Sequence, residues 1–209
     1  MPDRKKRTYN SQARDTQAAQ TKLRILTGAK KLFQAEGFES MTIEKLAGEA
    51  NVSAPTIYAI FQSKRGILRA LMDESLPSDQ FKALAQQAML AESAEIRLAI
   101  SAKMARQIYD AEREQMDIFR GAAVLAPEFK EFERERELRR YDRQEDTIKA
   151  MVKEKSLAIG LSVTKARDIL WAFTGRDMYR MFVVEQGWKP AEYEKWLAQL
   201  LIKSLVQVQ

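Results

Sequence analysis

Residues 41–66 read MTIEKLAGEANVSAPTIYAIFQSKRG and contain the signals of two short helices separated by a tight turn. Thr42 can cap the first helix, and Asn51, which tolerates a positive φ better than most residues, ends it. Ser53 can cap the second helix, and Pro55 in its first turn gives up no helical hydrogen bond. The pattern predicts a helix-turn-helix. Apolar residues at helical spacing form its inner faces: Ile43, Leu46, Ala47 and Ala50 in the first helix, and Val52, Ile57 and Phe61 around the second.

The outer face of the second helix carries small or hydrogen-bonding side chains. A helix that lies in the DNA major groove needs such side chains at its N-terminal end, so that base edges can be approached without a clash. The face therefore favours DNA binding. Its members are Ser53, Ala54, Thr56, Tyr58 and Ala59.

The segment resembles the DNA-binding domain of the tetracycline-repressor (TetR) family of bacterial transcription regulators. The likeness extends upstream through TKLRILTGAKKLFQAEGFESMTIEKLA and downstream through FQSKRGILRALM. It implies an all-α fold of about nine to ten helices, with an N-terminal three-helix helix-turn-helix domain and a C-terminal helical domain for ligand binding and dimerisation. The matching positions are Phe33, Gly37, Thr42, Ala47, Val52, Tyr58, Phe61 and Lys64.

The resemblance also implies which residues contact DNA. Ala54 departs from a hydrogen-bonding reader of bases, because its methyl group can only touch a thymine methyl. Direct readout of the DNA sequence is therefore expected to be modest and to be supported by DNA shape. The positions that match phosphate contacts of the family are Thr42, Tyr58 and Lys64, and those that match base-reading positions are Ser53, Ala54 and Thr56.

The positive charge of the chain is concentrated near this motif. The formal net charge is +6, and residues 1–76 hold thirteen Lys or Arg against eight Asp or Glu, a balance of +5. Such a surplus attracts a polyanion and supplies phosphate contacts, although charge alone is equally consistent with solubility. Beside the helix-turn-helix, it favours double-stranded DNA as a partner.

The sequence contains neither cysteine nor histidine. Disulfides, thiol nucleophiles, the usual zinc ligand sets and mechanisms that need an imidazole base are thereby excluded, and neither a metal nor a cofactor is expected. The remaining candidate acids, Glu112, Glu114 and Asp177, have no persuasive partner. An enzyme is therefore the least favoured hypothesis.

No apolar run approaches the roughly 18 residues of a membrane-spanning helix. The first seventeen residues, MPDRKKRTYNSQARDTQ, lack the apolar centre of a secretory signal. We expect a cytoplasmic protein without membrane contact.

The chain is predicted to have four parts. Residues 1–13 form a basic flexible arm, which either follows DNA phosphates or is a solvated tail without an energetic role. Residues 14–62 form the helix-turn-helix domain, with a first helix over about 16–36 that Gly37 ends. A linking helix at 63–76 leads to a helical ligand-binding and dimerisation domain at 77–209.

The middle of the C-terminal domain offers candidate pocket residues and a strongly charged helix. Methionine and aromatic side chains can line an adaptable pocket, but at helical spacing they are more often plain core. Residues 128–146 alternate acidic and basic side chains, which favours an exposed helix with ion pairs over a binding surface. The candidate pocket residues are Met104, Ile108, Met116, Phe119, Trp171 and Tyr179.

The last two predicted helices, 164–186 and the helix that begins at Pro190, carry broad apolar faces. In the family that the chain resembles, the final two helices pair with their copies in a second subunit. We expect a homodimer of this kind, and the alternative is that both faces close the core of a single chain. The candidate interface residues are Phe173, Arg180, Val184, Trp196, Leu197, Leu200, Leu201 and Leu205.

These features lead to one functional hypothesis and one main alternative. The hypothesis is a transcriptional repressor that binds a palindromic operator as a homodimer and is released by a small-molecule effector. The alternative is a constitutive DNA-binding dimer without an effector.

Overall fold

The computed structural model describes residues 5–74, 78–113 and 127–207, with side chains at 13–73, 79–113 and 130–207. Ten α-helices and one π-helical segment account for nearly all of these ranges, and the described residues form no β-strand beyond one antiparallel bridge, Leu157 with Val206. The all-α prediction is confirmed. The helices are α1 Lys5–Ser40, α2 Ile43–Ala50, α3 Ala54–Phe61, α4 Lys64–Glu74, α5 Ser78–Met89, α6 Ala94–Glu112, α7 Pro127–Lys153, α8 Val163–Phe173, α9 Arg176–Tyr179, the π-helix Arg180–Glu185, and α10 Pro190–Leu205.

The described residues divide into two compact units. The first contains 5–74 and 127–129, and the second contains 78–113 and 130–207. Across the described ranges, we find no helix with both the length and the apolar character needed to cross a membrane.

Helix α1 begins earlier than the sequence predicts. It starts at Lys5, so it includes residues 5–13, where a flexible arm was expected. The segment KKRTYNSQARDTQAAQ contains neither glycine nor proline and is rich in Lys, Arg, Gln and Ala, which favour helix without needing a core to pack against. The rest of the predicted arm, residues 1–4, lies outside the described residues. At the other end Gly37 interrupts the helix with a φ of 80°, as the sequence predicts.

The helix-turn-helix forms as its local signals predict. The hydroxyl of Thr42 accepts a hydrogen bond from the Lys45 amide at 3.2 Å, which caps α2. Asn51 ends α2 in the left-handed conformation, with φ 51° and ψ 55°. Ser53 then caps α3 by accepting a hydrogen bond from the Thr56 amide at 3.3 Å. The predicted apolar faces of the two helices are buried, with Val52 half-buried at their edge.

The turn between α3 and α4 requires a glycine at position 66. The Gly66 amide donates to the hydroxyl of Ser63 at 3.1 Å, which caps α4. A Cβ atom at Gly66 would lie 1.9 Å from the carbonyl oxygen of Phe61, much closer than any van der Waals contact. Because this oxygen belongs to the backbone, no side-chain rotation can relieve the clash. The close approach of α4 to the end of α3 therefore depends on the missing side chain.

In the second unit, α10 packs along α6. Tyr193 and three leucines of α10 have no exposed surface within the single chain. Leu197, Leu201 and Leu205 were predicted to contact a second subunit, and the structure corrects this: their side chains complete the chain's own core. An apolar stripe alone does not distinguish these two forms of burial.

The helix predicted over 164–186 is also corrected, because it is interrupted. α8 ends at Phe173, and the chain is extended at Gly175 before α9 and the π-helix follow. The Arg140 guanidinium donates to the carbonyl oxygen of Trp171 at 2.7 Å, and the Thr174 hydroxyl donates to that of Leu170 at 2.6 Å. The Gly175 amide donates to the Ala172 carbonyl at 3.2 Å and not to that of Trp171, so Arg140 replaces the donor that a continuing helix would have given Trp171. Gly187, with a φ of 72°, ends the π-helical segment, as the sequence predicts.

Replacement of Gly66 by alanine is expected to lower the free energy of unfolding by about 1–3 kcal/mol, since the new methyl group has no space beside the Phe61 carbonyl. Chemical denaturation of the full chain measures this loss. Gly48→Ala is the matched control, because a Cβ at this exposed position on α2 meets nothing within 4 Å. It should be neutral or stabilise by up to about 1 kcal/mol, the helix-propensity difference. Equal effects at the two positions would contradict the role of Gly66.

Candidate DNA-binding face and ligand cavity

The outer side of α3 presents the side chains that the sequence predicts to face DNA. Ile57 is only 1% exposed, whereas Tyr58 is 50% exposed on the opposite side of the helix. Ser53 is exposed, and Ala54 and Thr56 are half-buried. The hydroxyls of Ser53 and Thr56 lie 2.8 Å apart and form a hydrogen bond in which either can donate. The face thus offers one aromatic hydroxyl and a pair of coupled aliphatic hydroxyls.

Lys64, at the first position of α4, is held by the segment that follows Gly37. Its Nζ donates to the carbonyl oxygen of Glu39 at 3.0 Å and lies 4.5 Å from the centroid of the Phe38 ring. Partial burial lowers the pKa of Lys64 from its ordinary 10.5, and the Glu39 carboxylate opposes this shift. An ammonium group has three N–H donors, so donors remain for an anion after the Glu39 carbonyl is satisfied.

Thr42 is exposed at the start of α2. Its oxygen accepts the capping hydrogen bond, so the hydroxyl proton can still be donated to an anion. Other cations of this unit are paired with acids: Lys31 Nζ lies 2.8 Å from Glu49, and Lys45 Nζ lies 2.5 Å from Glu36. The basic surplus of the N-terminal region is therefore partly neutralised on its own surface.

The second unit contains a cavity of about 520 Å³ between α5, α6 and α7. This volume is within the usual range of small-molecule sites, about 300–1,000 Å³. Much of its wall is apolar, and two of the predicted pocket residues, Met104 and Ile108, line it. Trp171 and Tyr179 lie elsewhere, and Met116 and Phe119 lie outside the described residues. Further apolar lining residues are Phe81, Ala85, Met89 and Ala105.

Arg97 lines the cavity, but its charge is already neutralised. It is 4% exposed, and its guanidinium donates to both carboxylate oxygens of Glu154 at 2.7 and 3.0 Å. It also donates to the carbonyl oxygens of Ala88 and Ala91 at 3.2 and 3.0 Å. This bidentate, fully bonded geometry identifies Arg97 as a structural residue that ties α6 to the end of α7.

A second arginine, Arg140, is fixed in a network around Thr174. It lies 2.5 Å from a carboxylate oxygen of Glu137 and donates to the Thr174 hydroxyl at 3.0 Å. Gln144 donates to the same hydroxyl at 2.8 Å. Because Thr174 donates its one proton to the carbonyl of Leu170, its oxygen must accept from both neighbours, which fixes the orientation of the Gln144 amide.

This orientation leaves the Gln144 oxygen without a donor. The atom is buried and has no hydrogen-bond partner among the described residues. An acceptor in this position costs about 1–3 kcal/mol unless a ligand or water supplies a donor. Gln144 therefore gives the cavity wall an unsatisfied polar group.

Arg143 differs from the other two arginines of the cavity. Within the described part of the chain no carboxylate lies within salt-bridge distance of it, and its guanidinium lies 5.1 Å from the centroid of the Phe81 ring. Desolvation of the guanidinium, together with the charges of Arg139, Arg136 and Arg140, lowers the pKa of Arg143. The cavity also has one carboxylate among its described lining residues, Asp146.

The predicted pocket residues that lie outside the cavity have other partners. Tyr179 has no exposed surface, packs against the rings of Tyr109 and Tyr193 at 5.9 and 5.5 Å, and donates its hydroxyl to Asp110. Burial raises the pKa of Tyr179. The ring of Trp171 lies 5.2 Å from the Arg140 guanidinium.

The two candidate acids that the structure describes, Glu112 and Asp177, are each paired with arginine. Glu112 has no exposed surface and is paired with Arg136 and, at 3.3 Å, with Arg176. Asp177 lies 3.4 Å from Arg180, and Glu114 is outside the described residues. Nor do the described residues include a group of three or more acidic side chains that could hold a metal ion.

The polar residues that α7 contributes to the cavity are not among the pocket residues predicted from the sequence. The sequence instead predicts that residues 128–146 form an exposed helix with ion pairs. The sequence does contain a signal of an inward face on α7. This signal is a series of residues at helical spacing that ends at the buried Met151, namely 140, 143, 144, 147 and 151. The same face of α7 thus passes from charged to apolar. α7 itself is confirmed as a helix, but part of its charge faces inward.

The remaining candidate interface residues are accessible in the single chain. Val184 is 39% exposed, as is its neighbour Met181 on the π-helix. The others, Phe173, Arg180, Trp196 and Leu200, are half-buried.

Comparison with known proteins shows a family match in the helix-turn-helix region. Residues 25–71 match the family model described as bacterial regulatory proteins, tetR family. The chain is 32% identical over 76 residues to the HTH-type transcriptional repressor ComR of Escherichia coli, a match that covers 36% of this chain and 35% of ComR. It is 37% identical over 54 residues to the uncharacterised HTH-type regulator YvkB of Bacillus subtilis, covering 26% and 29%. These matches span about a third of each relative's length.

Solved structures share the fold over most of the chain. FadR of Bacillus subtilis, in complex with stearoyl-CoA, has a TM-score of 0.70 at 17% identity and is matched over 87% of this chain and 98% of its own. SmeT in complex with triclosan has a TM-score of 0.71 at 17% identity, with 89% and 91% covered. The family match is thus confined to residues 25–71, which contain the helix-turn-helix, and over most of its length the chain shares the fold of these solved structures.

Proposed function

We propose that this protein is a ligand-responsive transcriptional repressor, which binds a palindromic operator as a homodimer in the cytoplasm and is released by a small molecule. The observation that carries the proposal is the presence in one chain of an exposed recognition helix, α3, and a cavity of about 520 Å³. A protein that only bound DNA would need no such cavity. The name of the relative ComR, a transcriptional repressor, supports the direction of regulation.

In the DNA complex proposed here, the phosphates are contacted by Thr42, Tyr58 and Lys64. Each retains a hydroxyl or ammonium proton after its contacts within the chain are counted. Ser53 and Thr56 would meet base edges, where their mutually bonded hydroxyls can act as donor or acceptor. Ala54 would offer its methyl group to a thymine.

Two copies of α3 are needed for a palindromic site, because successive major grooves on one face of DNA lie about 34–36 Å apart. The proposed dimer surface comprises the accessible part of the predicted interface, with Val184 and Met181 at its most exposed point. Its remaining residues are Phe173, Arg180, Trp196 and Leu200.

On the ligand side, release requires only that the effector binds more tightly to a form of the dimer that does not fit DNA. A hundredfold preference corresponds to about 2.7 kcal/mol of coupling. FadR and SmeT, which share the fold, are solved with stearoyl-CoA and triclosan respectively, and this supports a ligand for the cavity here. The unsatisfied oxygen of Gln144 favours an effector over the alternative, a constitutive DNA-binding dimer.

Lys64→Gln and Tyr58→Phe are expected to weaken binding to a duplex selected by the parent protein from a random pool. The lysine change should cost about tenfold and reduce the salt slope by about one, and the tyrosine change about three- to tenfold. Fluorescence anisotropy over a salt series measures both. Lys82→Gln and Tyr141→Phe, exposed changes in the second unit, are the matched controls. Parent-like binding by both test variants would refute the assigned contacts.

Val184→Glu is expected to shift the protein from dimer to monomer, because two acids would be buried in the proposed interface. Light scattering coupled to size exclusion reports the mass. Ile159→Glu, at a position that is 85% exposed between α7 and α8, is the control and should leave the dimer intact. A monomeric parent, or a Val184→Glu dimer as stable as the parent, would exclude this surface.

Ala85→Phe is expected to fill the cavity and abolish the response to effectors. Compounds that raise the melting temperature of the parent by binding the cavity should also release it from the selected duplex. The variant should bind the duplex but should neither gain stability nor be released. Ala83→Phe places the same side chain on the exposed face of α5 and should respond as the parent does. If no stabilising compound alters DNA binding, the protein is not an effector-controlled repressor.

A further inference from the structure

Among the described residues that line the cavity, one cation, Arg143, is not paired with an acid. Arg97 is bonded to Glu154, and Arg140 is bonded to Glu137, so neither is available to a ligand as an unpaired charge. Arg143 also lines the cavity, and within the described part of the chain no carboxylate is within salt-bridge distance of it. An unpaired guanidinium at the edge of an apolar cavity is a natural partner for an anion.

The surroundings of Arg143 strengthen this preference. Arg139, Arg136 and Arg140 are like charges on the same helix that lower the pKa of Arg143, although each of the three is itself paired with a glutamate. The Phe81 ring lies 5.1 Å from its guanidinium, a cation–π contact that can hold the planar group in position. A phenyl ring has no oxygen or nitrogen acceptor, so this contact leaves the N–H donors of Arg143 for a carboxylate.

The rest of the cavity suits an apolar body. Alanine and methionine side chains of α5 and the Met104, Ala105 and Ile108 side chains of α6 form a continuous wall. Methionine adapts to irregular apolar shapes because its side chain is unbranched and flexible. The wall and the cation together define a site with one apolar end and one positive end.

We propose that the cavity binds an amphipathic organic anion, whose carboxylate-type head is held by Arg143 and whose apolar body lies against α5 and α6. This inference rests on the proposed function and names the chemical class of its effector. Asp146, three residues after Arg143 on α7, is the feature that opposes it, because a cationic ligand would use this carboxylate. The guanidinium of Arg143, which has no carboxylate within salt-bridge distance among the described residues and lies against the Phe81 ring, favours the anion.

The test compares three probes with the same ten-carbon chain and different heads: decanoate, decan-1-ol and decyltrimethylammonium. Each is titrated, below its micelle concentration, into the full-length dimer by calorimetry. Decanoate should bind at least about tenfold more tightly than either of the others, as expected for a charge-assisted hydrogen bond to the head. Replacement of Asp146 by asparagine should tighten decanoate binding further.

Variants of α7 then locate the head. Arg143→Gln should weaken decanoate at least about tenfold and leave decan-1-ol unchanged, whereas Arg143→Lys should retain part of the preference. Lys149→Gln is the matched control, because it removes a charge from the same helix at an exposed position that is paired with Glu145 at 2.9 Å and lies outside the cavity lining. It should bind decanoate within about threefold of the parent, since an exposed ion pair contributes little.

Three results would overturn the inference: equal or tighter binding of the alcohol or the ammonium compound, no binding of any probe, or parent-like decanoate binding by Arg143→Gln. Different results would refute the proposed repressor function: either the parent protein does not bind a selected duplex, or no ligand of the cavity releases the protein from that duplex. An alcohol that binds the cavity and releases DNA would therefore refute the anion and leave the repressor intact.

Discussion

The second unit depends on the pairing of one buried carboxylate. Glu112, at the end of α6, has no exposed surface and meets Arg136 of α7 and Arg176 at the start of α9. A carboxylate removed from water must be compensated by cations, and loss of one partner from such a group costs about 3–5 kcal/mol. The pairing therefore fixes three helices relative to one another within this unit. Two of them, α6 and α7, form walls of the cavity.

The cavity's polar side follows from the same helix. Arg136, Arg140 and Arg143 stand on one side of α7 at intervals of four and three residues. The first compensates Glu112, and the second donates to the Trp171 carbonyl at the end of α8. The third, Arg143, lines the cavity, and no carboxylate among the described residues lies within salt-bridge distance of it. A single row of arginines thus both holds the unit together and gives its interior a positive side.

The N-terminal unit was largely predictable from the sequence, because its signals are local. Thr42, Asn51 and Ser53 act on residues at most four positions away, so capping and turn rules suffice. The cavity was not predictable, since its arginines have partners far away in the sequence: Glu154 lies 57 residues from Arg97, and Trp171 and Thr174 lie 31 and 34 residues from Arg140. Periodicity also could not show that Leu197 and its neighbours are buried by their own chain. Such burial depends on which helices meet.

The Arg143 guanidinium has a consequence for how the protein senses its surroundings. Guanidinium groups are not deprotonated in proteins, and the chain contains no histidine to titrate near neutral pH. If the cavity binds the proposed anion, a change in its affinity near neutral pH would therefore originate in the anion, whose protonated form loses the attraction to Arg143. Acidification would then weaken binding of the ligand while the charge of Arg143 stayed constant.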